Sequence, residues 1–185
     1  MADILVPIAK GFEEIEAVTI IDVLRRAGIE VTVASIGEHA HVEGANGVVL
    51  VSDSDIKNVD TDVFDMVVLP GGWDGTYALA DDQHVQRILK EMDAKGKDIG
   101  AICAAPYALD KAGVLKPNFT CYPSAEEQIK IDGYQGDKAK VIQEGNIMTS
   151  RGPGTAMCFA LEIVKKFKGE EVFNQVKEGL LADFC

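Results

Sequence analysis

Cys103 is the residue of this chain best placed to act as a nucleophile. It closes the short apolar run Asp98-Ile-Gly-Ala-Ile and is followed by Ala104, Ala105 and Pro106, where a new apolar periodicity opens, runs to Lys111 and stops at Gly113. Proline is tolerated in a helix's first turn, where its missing N–H would have had no partner, so a strand turns into a helix here with the sulfur on the bend. Unpaired backbone N–H groups and the positive end of a helix dipole favour thiolate over thiol at such a point. This is the arrangement of a nucleophile elbow with sulfur in place of oxygen. The competing reading is a buried structural cysteine, a common fate of free thiols.

A reactive thiol needs a proton-transfer partner, and histidine is the usual one. The three histidines, His39, His41 and His84, all precede Cys103 and none follows a strand. They read as solvated surface residues. The carboxylate candidate is Glu16, in the first turn of the helix after the first strand. Its companions Glu13 and Glu14 read as ordinary acidic residues favoured at a helix N-terminus. Glu16 differs in being flanked by Ile15 and Ala17, which lets its turn face inward. A carboxyl desolvated beside sulfur is pushed toward its protonated form and donates a hydrogen bond to a thiolate. Backbone N–H groups at Gly72 and Ala104 are candidates to bind an oxyanion.

The elements that must position these residues alternate. Ile4 to Ala9 is a near-continuous apolar run, expected of a strand covered on both faces. The helix opened by Glu13-Glu14-Ile-Glu16 carries apolar positions Ala17, Ile20, Ile21 and Leu24, ends on Arg25 and Arg26, and stops at Gly28. Val31 to Ser35 completes a strand–helix–strand unit. From Gly37 to Asp60 short β-branched segments predict a small hairpin or meander beside the main sheet. Asp65 to Pro70 is another buried strand, ended by Gly71-Gly72. A short helix near Thr76–Ala80 and a clearer one over Val85–Ala94 lead to the cysteine elbow. Phe119–Tyr122 is expected to be a strand, and Lys138–Gln143 with Asn146–Ser150 an edge hairpin. A helix from Pro153 to Gly169 and a last one over Glu171–Leu181 close the chain. Such alternation implies an α/β fold, a mainly parallel sheet with helices on both faces. Sheets of this kind react at the carboxyl ends of their strands. Gly11–Glu16, Gly71–Gly72, Cys103 and Tyr122 all fall at such ends.

Composition narrows the function. The 185 residues are read as one domain spanning 1–185, with 47% hydrophobic and 26% charged residues and no linker or repeat. A formal net charge of -12 argues against nucleic acid as a partner, for which a basic face is the usual footprint. No apolar run approaches a membrane span, so no membrane partner is expected. The four cysteines, Cys103, Cys121, Cys158 and Cys185, are widely spaced, without a CxxC pair or nearby histidines. Neither a metal site nor a disulfide framework is expected. Cys121 reads as filler, Cys158 as packing locally, and any disulfide of Cys185 as adventitious. Reduced thiols and an N-terminus unlike a signal peptide point to the cytoplasm.

The motifs Leu69-Pro70-Gly71-Gly72, Ala101-Ile-Cys103-Ala-Ala-Pro106 and Thr149-Ser150-Arg151-Gly152-Pro153-Gly154-Thr155, preceded by Gly11-x-Glu13-Glu14-Ile-Glu16, closely resemble the ThiJ/PfpI superfamily. Within it they match the branch of the parkinsonism-associated deglycase, also called DJ-one. The resemblance covers essentially the whole chain. It implies a flavodoxin-like sandwich, usually homodimeric, with Cys103 as an oxidation-sensitive nucleophile and Glu16 as its protonated partner. It further implies that Gly72 and Ala104 line an anion pocket, and that Arg151 and Pro153 lie near the pocket and the dimer contact. Two positions depart from the family's pattern: Tyr122 stands where histidine is frequent, and Asn46 aligns with a common arginine. Tyrosine donates a hydrogen bond but is a poor base near neutral pH. Protease and amidotransferase branches are disfavoured, because Ala104 replaces their histidine after the nucleophile and no histidine follows Cys103.

Together these point to a cofactor-independent cysteine enzyme acting on reactive dicarbonyls or glycated adducts, on free carbonyls or on glycated protein. Cys103 and Glu16 would be catalytic, and Tyr122 with the Gly72 and Ala104 amides would hold the substrate oxygen. The alternative is a redox-sensing or chaperone-like dimer in which Cys103 is oxidised to sulfinate without turnover.

Overall fold

The computed structural model describes residues 2–37 and 40–185, so His39 lies outside the described residues. In chain order the elements are β1 (Asp3–Ile8), α1 (Glu14–Arg26), β2 (Glu30–Ser35), β3 (His41–Glu43), β4 (Val49–Val51), β5 (Ser54–Asp55), β6 (Met66–Leu69), α2 (Trp73–Asp81), α3 (Gln83–Ala94), β7 (Asp98–Ile102), α4 (Pro106–Ala112), β8 (Val141–Glu144), β9 (Ile147–Ser150) and α5 (Ala156–Gly179). Seven strands form one sheet in the order β5-β2-β1-β6-β7-β9-β8. All its pairings are parallel except β8 with β9. The strands β3 and β4 stand apart as a two-stranded antiparallel hairpin.

Two-sided burial explains the apolar runs. In β1, Ile4, Val6 and Ile8 enter one core with α1 and α5, while Leu5 enters the other with α2, α3 and α4. Met66 and Val68 of β6 share the first core, Val67 and Leu69 the second. Between the two cores these central strands therefore need apolar side chains on both faces, not at alternate positions. The helices are capped by chemistry written in the chain: the Asp82 carboxylate accepts from the N–H groups of His84 and Val85 at the head of α3. Asp22 and Arg26 form the i,i+4 ion pair on α1 at 2.7 Å.

The sheet reverses direction at β1: the chain moves outward to β2, then returns to the other side of β1 at β6. The crevice outside the carboxyl ends of β1 and β6 is thus the topological switch point, where open α/β sheets bind ligands.

Three expectations are corrected. Phe119–Tyr122 is not a strand; it makes one isolated bridge, Phe119 with Tyr134, and β9 takes the place beside β7. Its backbone is used elsewhere: the Phe119 N–H donates to Gly133, and the Tyr122 N–H to Cys103. Cys158 and Cys185 are joined in a disulfide, so Cys185 is a partner of α5 and not an idle thiol. The short helix expected at Thr76–Ala80 extends over the whole of α2. The break between the last two helices falls at Gly169, whose φ of 84° interrupts α5.

Candidate active site

Glu16 owes its position to the residue three before it. The Glu13 carboxylate caps α1 by accepting from the Glu16 N–H at 2.8 Å, fixing the first turn so that the Glu16 side chain points beneath the helix. There it is fully buried. The Gly71 N–H donates to Glu16 Oε2 at 2.7 Å, and the Glu13 N–H donates to the Gly71 carbonyl at 2.9 Å. The loops after β1 and β6 are thereby stitched together across the switch point.

Cys103 follows the last residue of β7 with φ of 64°, in the left-handed region that L side chains seldom adopt. Two neighbouring segments hold it there. Its N–H donates to the Ser150 carbonyl at 3.0 Å, and its own carbonyl accepts from the Tyr122 N–H at 2.9 Å. With both backbone groups occupied, the side chain turns toward Glu16, with which it is hydrogen-bonded, and toward the N–H groups of Gly72 and Ala104. The four residues Cys103, Glu16, Gly72 and Ala104, far apart in sequence, therefore meet at one sulfur. Glu16 Oε1 is buried without a partner, an acceptor or donor position held in reserve.

Burial acts on both members of this pair. Burial, followed by the neighbouring Glu16 carboxylate, pushes the Cys103 thiol up to about 12, and the Gly72 and Ala104 amides only partly offset it. Glu16 is raised to about 7, by burial first, against the Gly71 N–H and the Cys103 hydrogen bond, with the Glu13 charge adding to the rise. A carboxyl at that value can both take and give a proton near neutrality.

Gly71 and Gly72 leave the room this requires. A Cβ on Gly71 would lie 2.5 Å from Cys103 Cβ and 2.7 Å from Glu16 Oε2. Gly72 has φ of 87°, and a Cβ there would strike the Gly11 carbonyl at 2.3 Å.

Tyr122, Arg151 and Pro153 line a cleft of about 280 Å³ together with Pro123, Gly152, Gly154 and Thr155. Cys103 is not among its walls, but the cleft is tied to it by the Tyr122 N–H and by Ser150. The Tyr122 ring packs on Gly152, where a Cβ would approach Cδ2 at 3.2 Å. Arg151 Nε is buried without a partner. Cys121 is fully buried and stays in its filler role.

Glu14 is the residue that sequence reasoning undervalued. It is buried, and its carboxylate accepts from the Asn46 backbone, from Asn46 Nδ2 at 3.0 Å and from the Val48 N–H at 3.5 Å. Burial works to raise its pKa, but these bonds outweigh it and hold the carboxyl below its ordinary range. Asn46, noted only as a departure, is thus the anchor of the β3–β4 turn on α1. The pairing of an acid at a helix start with an Asn-Gly turn was the available signal.

A family model described as the DJ-1/PfpI family matches residues 2–166. The dj-1beta protein of Drosophila melanogaster is 41% identical over 181 residues, covering 97% of each chain. Its crystal structure superposes with a TM-score of 0.92, at 42% identity and 97% coverage of both chains. A glutathione-independent glyoxalase of Caenorhabditis elegans, DJR-1.2, is 35% identical over 168 residues, 91% of this chain and 89% of the relative. A structure of Toxoplasma gondii DJ-1 in oxidised form superposes with a TM-score of 0.92, at 36% identity and 98% coverage of both. The fold is flavodoxin-like.

Proposed function

This chain belongs to the DJ-1/PfpI family, and we propose that it is a cofactor-independent glyoxalase or deglycase acting on 2-oxoaldehydes and on their adducts with amines and thiols. The observation that carries the reading is the sealed contact between the Glu16 carboxyl and Cys103. The glyoxalase among its relatives supports the same class of chemistry.

Cys103 adds to the aldehyde carbon as Glu16 takes the proton from sulfur. The proton passes to the substrate oxygen, giving a hemithioacetal, with the Gly72 and Ala104 amides on the developing oxyanion. Glu16, again a carboxylate, removes the hydrogen on that carbon and returns it to the adjacent one, while the hydroxyl proton of the first carbon passes to the oxygen of the second, leaving a thioester. Water then hydrolyses the resulting thioester to a 2-hydroxy acid and the free thiol. Atoms balance as substrate plus water. In this reading Tyr122 donates to the neighbouring carbonyl. Purified protein is expected to convert methylglyoxal to lactate, with kcat/KM rising with pH through about 7 as Glu16 ionises. Cys103→Ala is expected to abolish turnover; equal rates in the two proteins would overturn the proposal.

The second reading, a sensor in which Cys103 is oxidised to sulfinate, is favoured by the same amides and acid, which suit two sulfinate oxygens, and by the oxidised relative. Gain of two oxygens at Cys103 under mild peroxide, without carbonyl turnover, is its signature. We place the protein in the cytoplasm and read it as a homodimer.

A further inference from the structure

Two cysteines that the carbonyl chemistry leaves aside are joined across 27 residues: Cys158, buried in α5, and Cys185, partly open beyond its end. A cavity of about 320 Å³ lies against the bond, walled by Lys140, Val141, Gln143, Met148 and Glu162 with both cysteines. The segment that carries Cys185 is held under strain. After α5, Leu181 takes φ of 54°, a position usually given to glycine in this type of helix stop. Its N–H donates to Glu178 at 3.0 Å and that of Ala182 to Lys177 at 3.1 Å, but the Leu181 side chain is 81% exposed and recovers nothing by burial. What upholds the turn is the burial of Ala182, the Lys140 ammonium, which donates to the Phe184 carbonyl and lies 5.7 Å from its ring centre, and the disulfide.

We propose that the Cys158–Cys185 bond is a thiol–disulfide exchange site for a low-molecular-weight thiol admitted by this cavity, and that opening it frees Leu181–Cys185 from the start of β8. An incoming thiolate attacks Cys185 Sγ, the more open sulfur. The S–S bond breaks, and Cys158 leaves with the electron pair and takes a proton from water. A second thiol attacks the mixed disulfide on Cys185, so two small thiols become one disulfide as the protein disulfide becomes two thiols. Lys140 in the cavity wall attracts the anionic sulfur that arrives and steadies the one that departs, with Glu162 opposing it in part. The site is independent of the Cys103 chemistry and stands whether or not that sulfur turns over a carbonyl.

The test is a titration of the full chain in glutathione buffers from oxidised to reduced, quenched by alkylation and read peptide by peptide in a mass spectrometer. Cys158 and Cys185 are expected to convert together and reversibly, through a glutathione adduct on Cys185, with Cys121 labelling constant. Amide hydrogen exchange over Leu181–Cys185 is expected to rise about tenfold on reduction, the behaviour of a locally released segment, while Ala156–Val164 of α5 keeps its protection. Cys185→Ser should exchange like the reduced form in every buffer. Leu181→Gly, which relieves the strained turn, should shrink the tenfold difference. Free thiols at both positions throughout, a bond that survives excess reduced glutathione in the folded protein, or a segment that exchanges equally in both states would overturn the proposal.

Discussion

Glu16 carries a proton that water would have taken from it, and that proton ties stability to pH. An unfolded glutamate ionises near 4.3, whereas in the fold this one is raised to about 7. Between those values the native state holds a proton that the unfolded chain has released, so unfolding becomes easier as pH rises. Stability is full below about pH 4 and falls until about pH 7, by about 3 kcal/mol for a displacement of this size. The raised Cys103 thiol acts in the same sense, but only above the ordinary thiol range, outside this window. Glu16→Gln cannot ionise. Its stability, followed by urea denaturation, should be level between pH 4 and 8, so that the variant surpasses the parent at pH 8 and not at pH 4. A parallel pH dependence in the two proteins would place the titrating group elsewhere. The same variant should lose the rise of kcat/KM through neutrality along with most of its turnover, since the amide neither takes nor returns a proton.

The loop Gly71-Gly72 is the element that converts sheet topology into a site, because it touches Glu16, Cys103 and the backbone around Gly11. Its two glycines should fail differently. A methyl on Gly71 meets the Cys103 and Glu16 side chains, with Cys103 Cβ at 2.5 Å and Sγ at 3.0 Å, so Gly71→Ala should cost about 1–3 kcal/mol and displace the pair it crowds. On Gly72 the methyl meets backbone on all sides, with Glu13 N at 2.7 Å, in a left-handed conformation. Gly72→Ala should therefore be the less stable of the two by thermal unfolding, while Gly71→Ala should lose more activity per unit of stability lost. Much of this geometry was legible in the chain. Strands buried on both faces announce themselves as unbroken apolar runs, and glycines and the Cys103 bend sit where such runs end. Phe119–Tyr122 misled because its composition suits a strand, whereas what decides is whether its N–H groups find a ladder; one goes to Cys103. The Cys158–Cys185 pairing lay beyond reach, since it depends on how the chain folds back after α5. For Cys103 the helix terminus is visible in sequence, whereas the depth of burial that pushes its thiol up is not.

At the scale of the molecule, the charge of -12 opposes association of like copies, so any contact between two copies must fall where charge is sparse. Ile15 and Val18 of α1 are 58% and 42% exposed, and Val49 and Val51 of β4 are 51% and 62% exposed. The Glu14 bonds to Asn46 and Val48 lock that hairpin against α1, so the four side chains belong to one stiff unit and not to a wandering loop. The proposed homodimer would use this unit, where burial of apolar area would drive association and the remaining acidic surface resist it. Two consequences follow from that balance. Raising ionic strength should tighten the dimer, because salt screens the long-range repulsion and leaves the apolar contact intact. Placing a carboxylate within the contact, as in Val51→Asp, should release monomers, since two copies would then bury unpaired charge across the axis. Sedimentation velocity at low and high salt reads both: a dimer insensitive to Val51→Asp, or one that salt dissociates, would locate the interface on another face and assign its strength to ion pairs. Because Ile15 sits beside Glu16, and α1 is held by the same Glu14 that anchors the hairpin, loss of the contact should also loosen the first turn of α1, and with it the position of the buried acid.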